Sequence, residues 1–148
     1  MRFLLKTVWA SSLCAYGVAS HAAELDAASS RRAVQAYCHA ISAAMSLEDL
    51  EGHWSAALKR EQGRLRAQQL DALEPGMRLV YEKTMMVMLK DMARQMPQQM
   101  QIACTAKRCT AVAQISPQWK QVFVLVREGG AVVIDEMHAH FGVERAAR

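Results

Sequence analysis

The chain has 148 residues, of which 52% are hydrophobic and 22% charged, with only 7 Gly and 3 Pro. That profile excludes intrinsic disorder over most of the chain, as well as collagen-like and low-complexity architectures, and the length predicts one domain. The formal net charge of +4 is spread among acids rather than concentrated on one face, which argues against nucleic acid as a partner.

The first residues read as a secretory signal. Arg2 and Lys6 form a basic start, Thr7 to Ala19 carry no charge, and Ser20-His21-Ala22 offers small residues around a cleavage site after Ala22. Cleavage after Ala19 is the second option. The apolar stretch is too short to span a bilayer, which takes about 20 residues. Leu13 stands before Cys14 where a lipoprotein signal requires a small residue. The expectation is a periplasmic or secreted protein with a signal peptide over 1–22, a domain over 23–142 and a tail over 143–148. Losing Arg2 and Lys6 lowers the basic count from 18 to 16 against 14 acids, so the net charge falls from +4 to +2.

Helix one is predicted from Asp26 to Met45, with Val34, Tyr37, Cys38, Ile41 and Met45 on one face and Asp26 or Ser29 as its cap. Ser46-Leu47-Glu48-Asp49 matches a capping box and predicts helix two from Leu47, with Leu47, Leu50, Trp54, Ala57 and Leu58 as its apolar stripe. Glu74-Pro75-Gly76 breaks the chain, and Pro75 opens helix three, which Pro97 stops. Its predicted buried side is Met77, Val80, Tyr81, Thr84, Met88, Met92 and Met96.

Beyond Pro97 the period changes to that of strands. Met100, Ile102 and Cys104 alternate with polar residues, and Thr110 to Ile115 returns. Trp119 to Arg127 follows, its unbroken apolar centre Val122–Val126 predicting a central strand. Glu128-Gly129-Gly130 is a tight turn into a last strand from Ala131 to Met137 or His140. In an oxidising compartment Cys104 and Cys109 would face each other across a short hairpin and form a disulfide. The four residues between them are too many for a redox Cys-x-x-Cys motif. Cys38 is left as a buried thiol. Helices first and an antiparallel meander after them make an α+β fold.

The closing segment Phe123-Val124-Leu125-Val126-Arg127-Glu128-Gly129-Gly130-Ala131-Val132-Val133-Ile134-Asp135-Glu136 resembles the final hairpin of small exported nuclear-transport-factor-2-like (cystatin-like) domains. The Met-rich helix ending in Pro before a β-meander is similar to the same group. Val132 departs from the pattern, standing where those domains usually carry Trp. The resemblance implies three N-terminal helices packed on a curved, cone-like antiparallel sheet of about four strands, with a pocket between them. It also implies a homodimer through the open sheet face as a further form.

The resemblance carries two functional expectations for that cleft. One is non-catalytic binding of a small apolar ligand or a protein partner, with Trp54, Tyr81, Met88 and Met92 as the pocket wall. The other is a small acid–base enzyme of dehydratase or isomerase type, for which Tyr37, His39, His53, Tyr81, Asp135 and His138 are the ionisable candidates. No spacing ties any two of these to an enzyme motif, and nucleophile elbows, phosphate loops and zinc-protease motifs are absent. No cofactor is expected. Two metal readings stand beside these. Glu136, His138 and His140 alternate and share a face if the last strand reaches them, as zinc ligands could. Met88, Met92, Met96 and Met100 recur every four residues, and thioethers suit Cu(I), though such spacing also fills cores. Met86 lies off that series. The basic pairs Arg31-Arg32 and Lys107-Arg108 read as solvated surface.

Overall fold

The computed structural model describes residues 24–142; the signal-peptide and tail expectations fall outside them. Helix α1 spans Ala27–Ala43. Asp26 caps it in a reciprocal box. The Ser29 amide donates to Asp26 Oδ1 at 2.6 Å, and the Asp26 amide donates to Ser29 Oγ at 3.0 Å. Two orphan amides are thereby satisfied, and the bond from the Ser29 amide pulls the Asp26 carboxyl below the ordinary carboxylate range. Val34, Tyr37 and Ile41 repeat at helical spacing and are fully buried.

The next turn departs from the predicted second helix. Glu48–His53 is a 3-10 helix. Asp49 Oδ2 accepts from the amides of Met45 (2.8 Å) and Ser46 (3.0 Å), which is the acidic half of the expected capping box. The chain then extends for two residues, because Trp54 bridges Ile134 of the sheet in parallel and the Ser55 amide donates to the Ile134 carbonyl at 2.8 Å. Ser55 then caps α2, Ala56–Asp71, accepting from the Leu58 amide at 3.0 Å. A tertiary contact thus moves the helix start from Leu47 to Ala56. Gly63 lies within α2 without ending it.

Helix α3 spans Pro75–Gln95. Met92 and Met96 of the predicted side do pack inward, but the rest of the inward face is rotated from the one predicted. Met86 and Met92 are buried and Leu89, Ala93 and Met96 pack on the core, whereas Met77, Val80 and Met88 are exposed. The helix is apolar around much of its circumference, so periodicity alone does not select the face.

Strands β1 (Gln101–Cys104), β2 (Cys109–Ser116), β3 (Trp119–Glu128) and β4 (Ala131–Phe141) form an open antiparallel sheet in sequence order. Cys104 and Cys109 are register partners and are joined by a disulfide. The β3–β4 turn has Gly129 at φ 59° and Gly130 at φ 81°, the two consecutive left-handed positions a two-residue hairpin demands. Asp135 is the extra residue of a β4 bulge, since Val124 pairs with Glu136 and Leu125 with Ile134.

The fold is therefore α+β, with α1 packed on α3, β1, β2 and β4. Ala111, Phe123, Leu125 and Ile134 face the helices and are buried. Tyr37 meets Phe123 edge-on, ring centroids 6.3 Å apart at 76°. Aromatic pairs of this geometry add about 0.5–1.5 kcal/mol beyond area burial. No helix among the described residues is long and apolar enough to cross a membrane.

Candidate functional site

The apolar depression with the richest set of large side chains lies where α3 crosses the ends of β3 and β4. Met85, Met88, Leu89 and Met92 recur at intervals of three and four on α3 and supply one wall. Trp119 and Gln121 of β3, with Met137, Ala139 and Phe141 of β4, supply the other. The strand period of two puts them on one sheet face. The register completes the wall, setting Trp119 beside Phe141, Gln121 beside Ala139 and Phe123 beside Met137. The Trp119 and Phe141 rings stack at 5.7 Å and 27°. The groove encloses about 430 Å³, within the range of small-molecule sites. Ala139 keeps it open where a larger side chain would fill it.

Its polar features are few. Gln121 is only 6% exposed as a residue, and its amide makes no hydrogen bond to the described residues but is not sealed from solvent, so it is a polar group the groove leaves open. The Trp119 Nε1–H is also buried without a partner among them. Asp91, on the exposed side of α3, is the only ionisable residue in the lining.

Of the four pocket residues expected from sequence, Met88 and Met92 line this groove. Trp54 is 5% exposed, packed into the core where it bridges Ile134, and does not line the groove. Tyr81 sits between α2 and α3, where its hydroxyl donates to Gln69 Oε1. Gln121, Trp119, Met137 and Phe141 escaped sequence reading as groove residues. The alternation of Trp119, Gln121 and Phe123 was the available signal, with a polar residue breaking an otherwise apolar series.

The acid–base candidates are dispersed. Tyr37 is fully buried under α1, and burial pushes its hydroxyl up to about 12. Its ring lies 5.9 Å from that of His53, the one contact between candidate rings, and partial burial lowers the His53 pKa. His39 is exposed on α1. Asp135 Oδ1 accepts from the Ser55 hydroxyl at 2.6 Å, a bond that fixes the bulge to the α2 cap. His138 lies on the outer part of β4 in a depression it shares with Leu58 and Glu61 of α2, with its Nε2 2.9 Å from Glu136 Oε2. Arg108 grips the other oxygen of Glu136 at 2.8 Å. These two partners, His138 first, hold the Glu136 carboxyl below its usual range.

Strand β4 runs far enough for Glu136, His138 and His140 to share one face, and the two imidazole centroids are 6.4 Å apart. Among the described residues, no group of three His, Cys, Asp or Glu side chains is placed to hold a metal ion. The methionine series does not stay together either. Met88 and Met92 line the groove, while Met100 is buried at the start of β1.

Compared with known proteins, the chain matches no family model, no curated protein and no solved structure.

Proposed function

We propose that this is an exported, non-catalytic domain that holds a small apolar ligand carrying one hydrogen-bonding group in the groove between α3 and the ends of β3 and β4. The observation that carries the reading is Gln121, whose amide is unpaired among the described residues yet open to solvent, in a lining that is apolar apart from Asp91. An amide both donates and accepts, so it selects an alcohol, acid or amide head over a bare hydrocarbon. The methionine wall adapts to ligand shape. Acid–base catalysis needs at least two ionisable groups facing the reactant, and this lining contains Asp91 alone. The Cys104–Cys109 disulfide suits an oxidising compartment. The order of helices then meander is that of the nuclear-transport-factor-2-like domains the closing hairpin resembles.

The test is calorimetric titration of the protein, purified from the periplasm of an expression host, with 1-decanol. Ala139→Trp fills the groove and abolishes binding. Gln121→Leu weakens binding by roughly 3- to 10-fold, the worth of one net hydrogen bond. No heat of binding, or equal affinity in both variants, refutes the reading.

Met85, Met88, Met92 and Met137 bring four thioethers to one groove, which supports a second reading, capture of Cu(I). The native mass of the purified protein separates the two. A copper increment that disappears in Met88→Leu favours the metal, and an organic increment displaced by decanol favours the ligand.

A further inference from the structure

Among the described residues, the strongly exposed large apolar side chains gather at one place. Met77, Leu79, Val80, Val87 and Met88 belong to α3, and Met45 and Phe141 border it. The patch is continuous. Met45 shares a depression with Leu79 and Val87, Val87 meets Met88 and Val80 in the next, and Met88 meets Phe141 in the third. A contiguous apolar patch on an otherwise polar surface marks an interaction site.

The charge pattern identifies the partner. Lys83, Lys90 and Arg94 fall at intervals of seven and four, in one row along α3 beside Val80 and Val87. None of the three forms an ion pair among the described residues. The Arg94 Nε–H reaches only the Lys90 carbonyl, at 3.3 Å. Asp91 is one acid on this face, and its Oδ2 accepts from Gln95 Nε2 at 2.7 Å. Glu82 lines the depression that Met45, Leu79 and Val87 share, but its carboxylate is taken up by Arg66 at 2.6 Å.

A second copy fits this surface poorly. A two-fold contact would set the Lys83–Lys90–Arg94 row against itself, with Asp91 offsetting it and Glu82 already neutralised by Arg66. A lipid surface fits it. Val, Met and Phe side chains enter the boundary of the acyl region while Lys and Arg extend along their stems to the phosphates. We propose that the exposed side of α3 docks on an anionic phospholipid surface. Phe141 and Met88 then stand at the bilayer, at the mouth of the groove described above. The proposal does not depend on the groove being filled.

Co-sedimentation of the protein purified from the periplasm, with vesicles of phosphatidylglycerol and phosphatidylcholine against pure phosphatidylcholine, tests it. The expected result is binding to the anionic vesicles alone, weakening as salt rises. Lys83→Gln, Lys90→Gln and Arg94→Gln together lower the partition coefficient roughly a hundredfold, since each surface cation contributes about fivefold. Val80→Ser with Val87→Ser also reduces binding and leaves decanol titration intact, because neither residue lines the groove. Val80, Lys83, Val87 and Arg94 are exposed and Lys90 is half-buried, and thermal melts confirm that the variants fold. Equal binding to neutral and anionic vesicles, or no binding to either, overturns the proposal. Concentration-dependent self-association without lipid, lost in the valine variants, overturns it in favour of a second copy.

Discussion

Replacing Tyr37 by Phe is the sharpest probe of how this core is balanced. The Tyr37 ring is fully buried, edge-on to Phe123, and its hydroxyl has no hydrogen-bond partner among the described residues. The nearby Trp54 indole favours the phenolate slightly, but its Nε1–H is itself unpaired, and burial dominates. A buried hydroxyl without a partner costs about 1–3 kcal/mol, against about 1 kcal/mol gained when it is bonded. Tyr37→Phe keeps the ring and removes the cost, so at about pH 8 the variant should be more stable by about 1 kcal/mol. The same residue sets an alkaline limit. Its hydroxyl titrates at 10.0 when exposed and at about 12 when folded, so its contribution is complete below pH 10.0 and is lost as pH rises towards about 12. At pH 11 the loss amounts to about 1.4 kcal/mol in the wild type and vanishes in the variant. Urea melts from about pH 8 to 11 measure both effects. The comparison is made in a Cys38→Ala background, because the Cys38 thiol, which burial pushes up to about 11, could otherwise attack the disulfide at high pH. A variant less stable by about 1 kcal/mol at neutral pH, the loss expected of a bonded hydroxyl, would refute the reasoning, as would parallel pH profiles.

Two further substitutions test the joints between helices and sheet. Ser55→Ala removes both the α2 cap and the hydroxyl bond to Asp135, and should cost about 2 kcal/mol in chemical denaturation. A loss under about 0.5 kcal/mol would mean the hydroxyl does not hold the bulge. Cys104→Ala opens a loop whose ends are only five residues apart, so it should cost about 2 kcal/mol, less than a long-range bridge would. Adding reductant should lower the wild-type denaturation midpoint and leave that of the variant unchanged.

The parts of this protein legible in its sequence are those governed by local chemistry. Asp26 and Ser29 cap a helix wherever they precede one. Gly129-Gly130 supplies the positive φ values of a two-residue hairpin. The alternation from Met100 onward specifies strands, and once β1 and β2 are joined by a short turn, Cys104 and Cys109 must face each other. The α+β class and the order of three α-helices before a four-stranded meander follow from such signals added along the chain.

Tertiary structure decided what sequence period left degenerate. Ser46 and Ser55 each qualify as a helix cap; docking of Trp54 and Ser55 on Ile134 selects the second and spends the intervening residues on a tighter turn. The α3 sequence carries apolar residues nearly all round, so its inward face was settled by what α1 and the sheet offered it, and Met77, Val80 and Met88 came to lie outside. That choice also made the candidate site. Groove residues from α3, β3 and β4 are distant along the chain, and no local pattern links Met92 to Gln121 or Phe141. They meet because a helix period of 3.6 and a strand period of two happen to aim their apolar edges at the same end of the sheet, which is a property of packing rather than of any single segment.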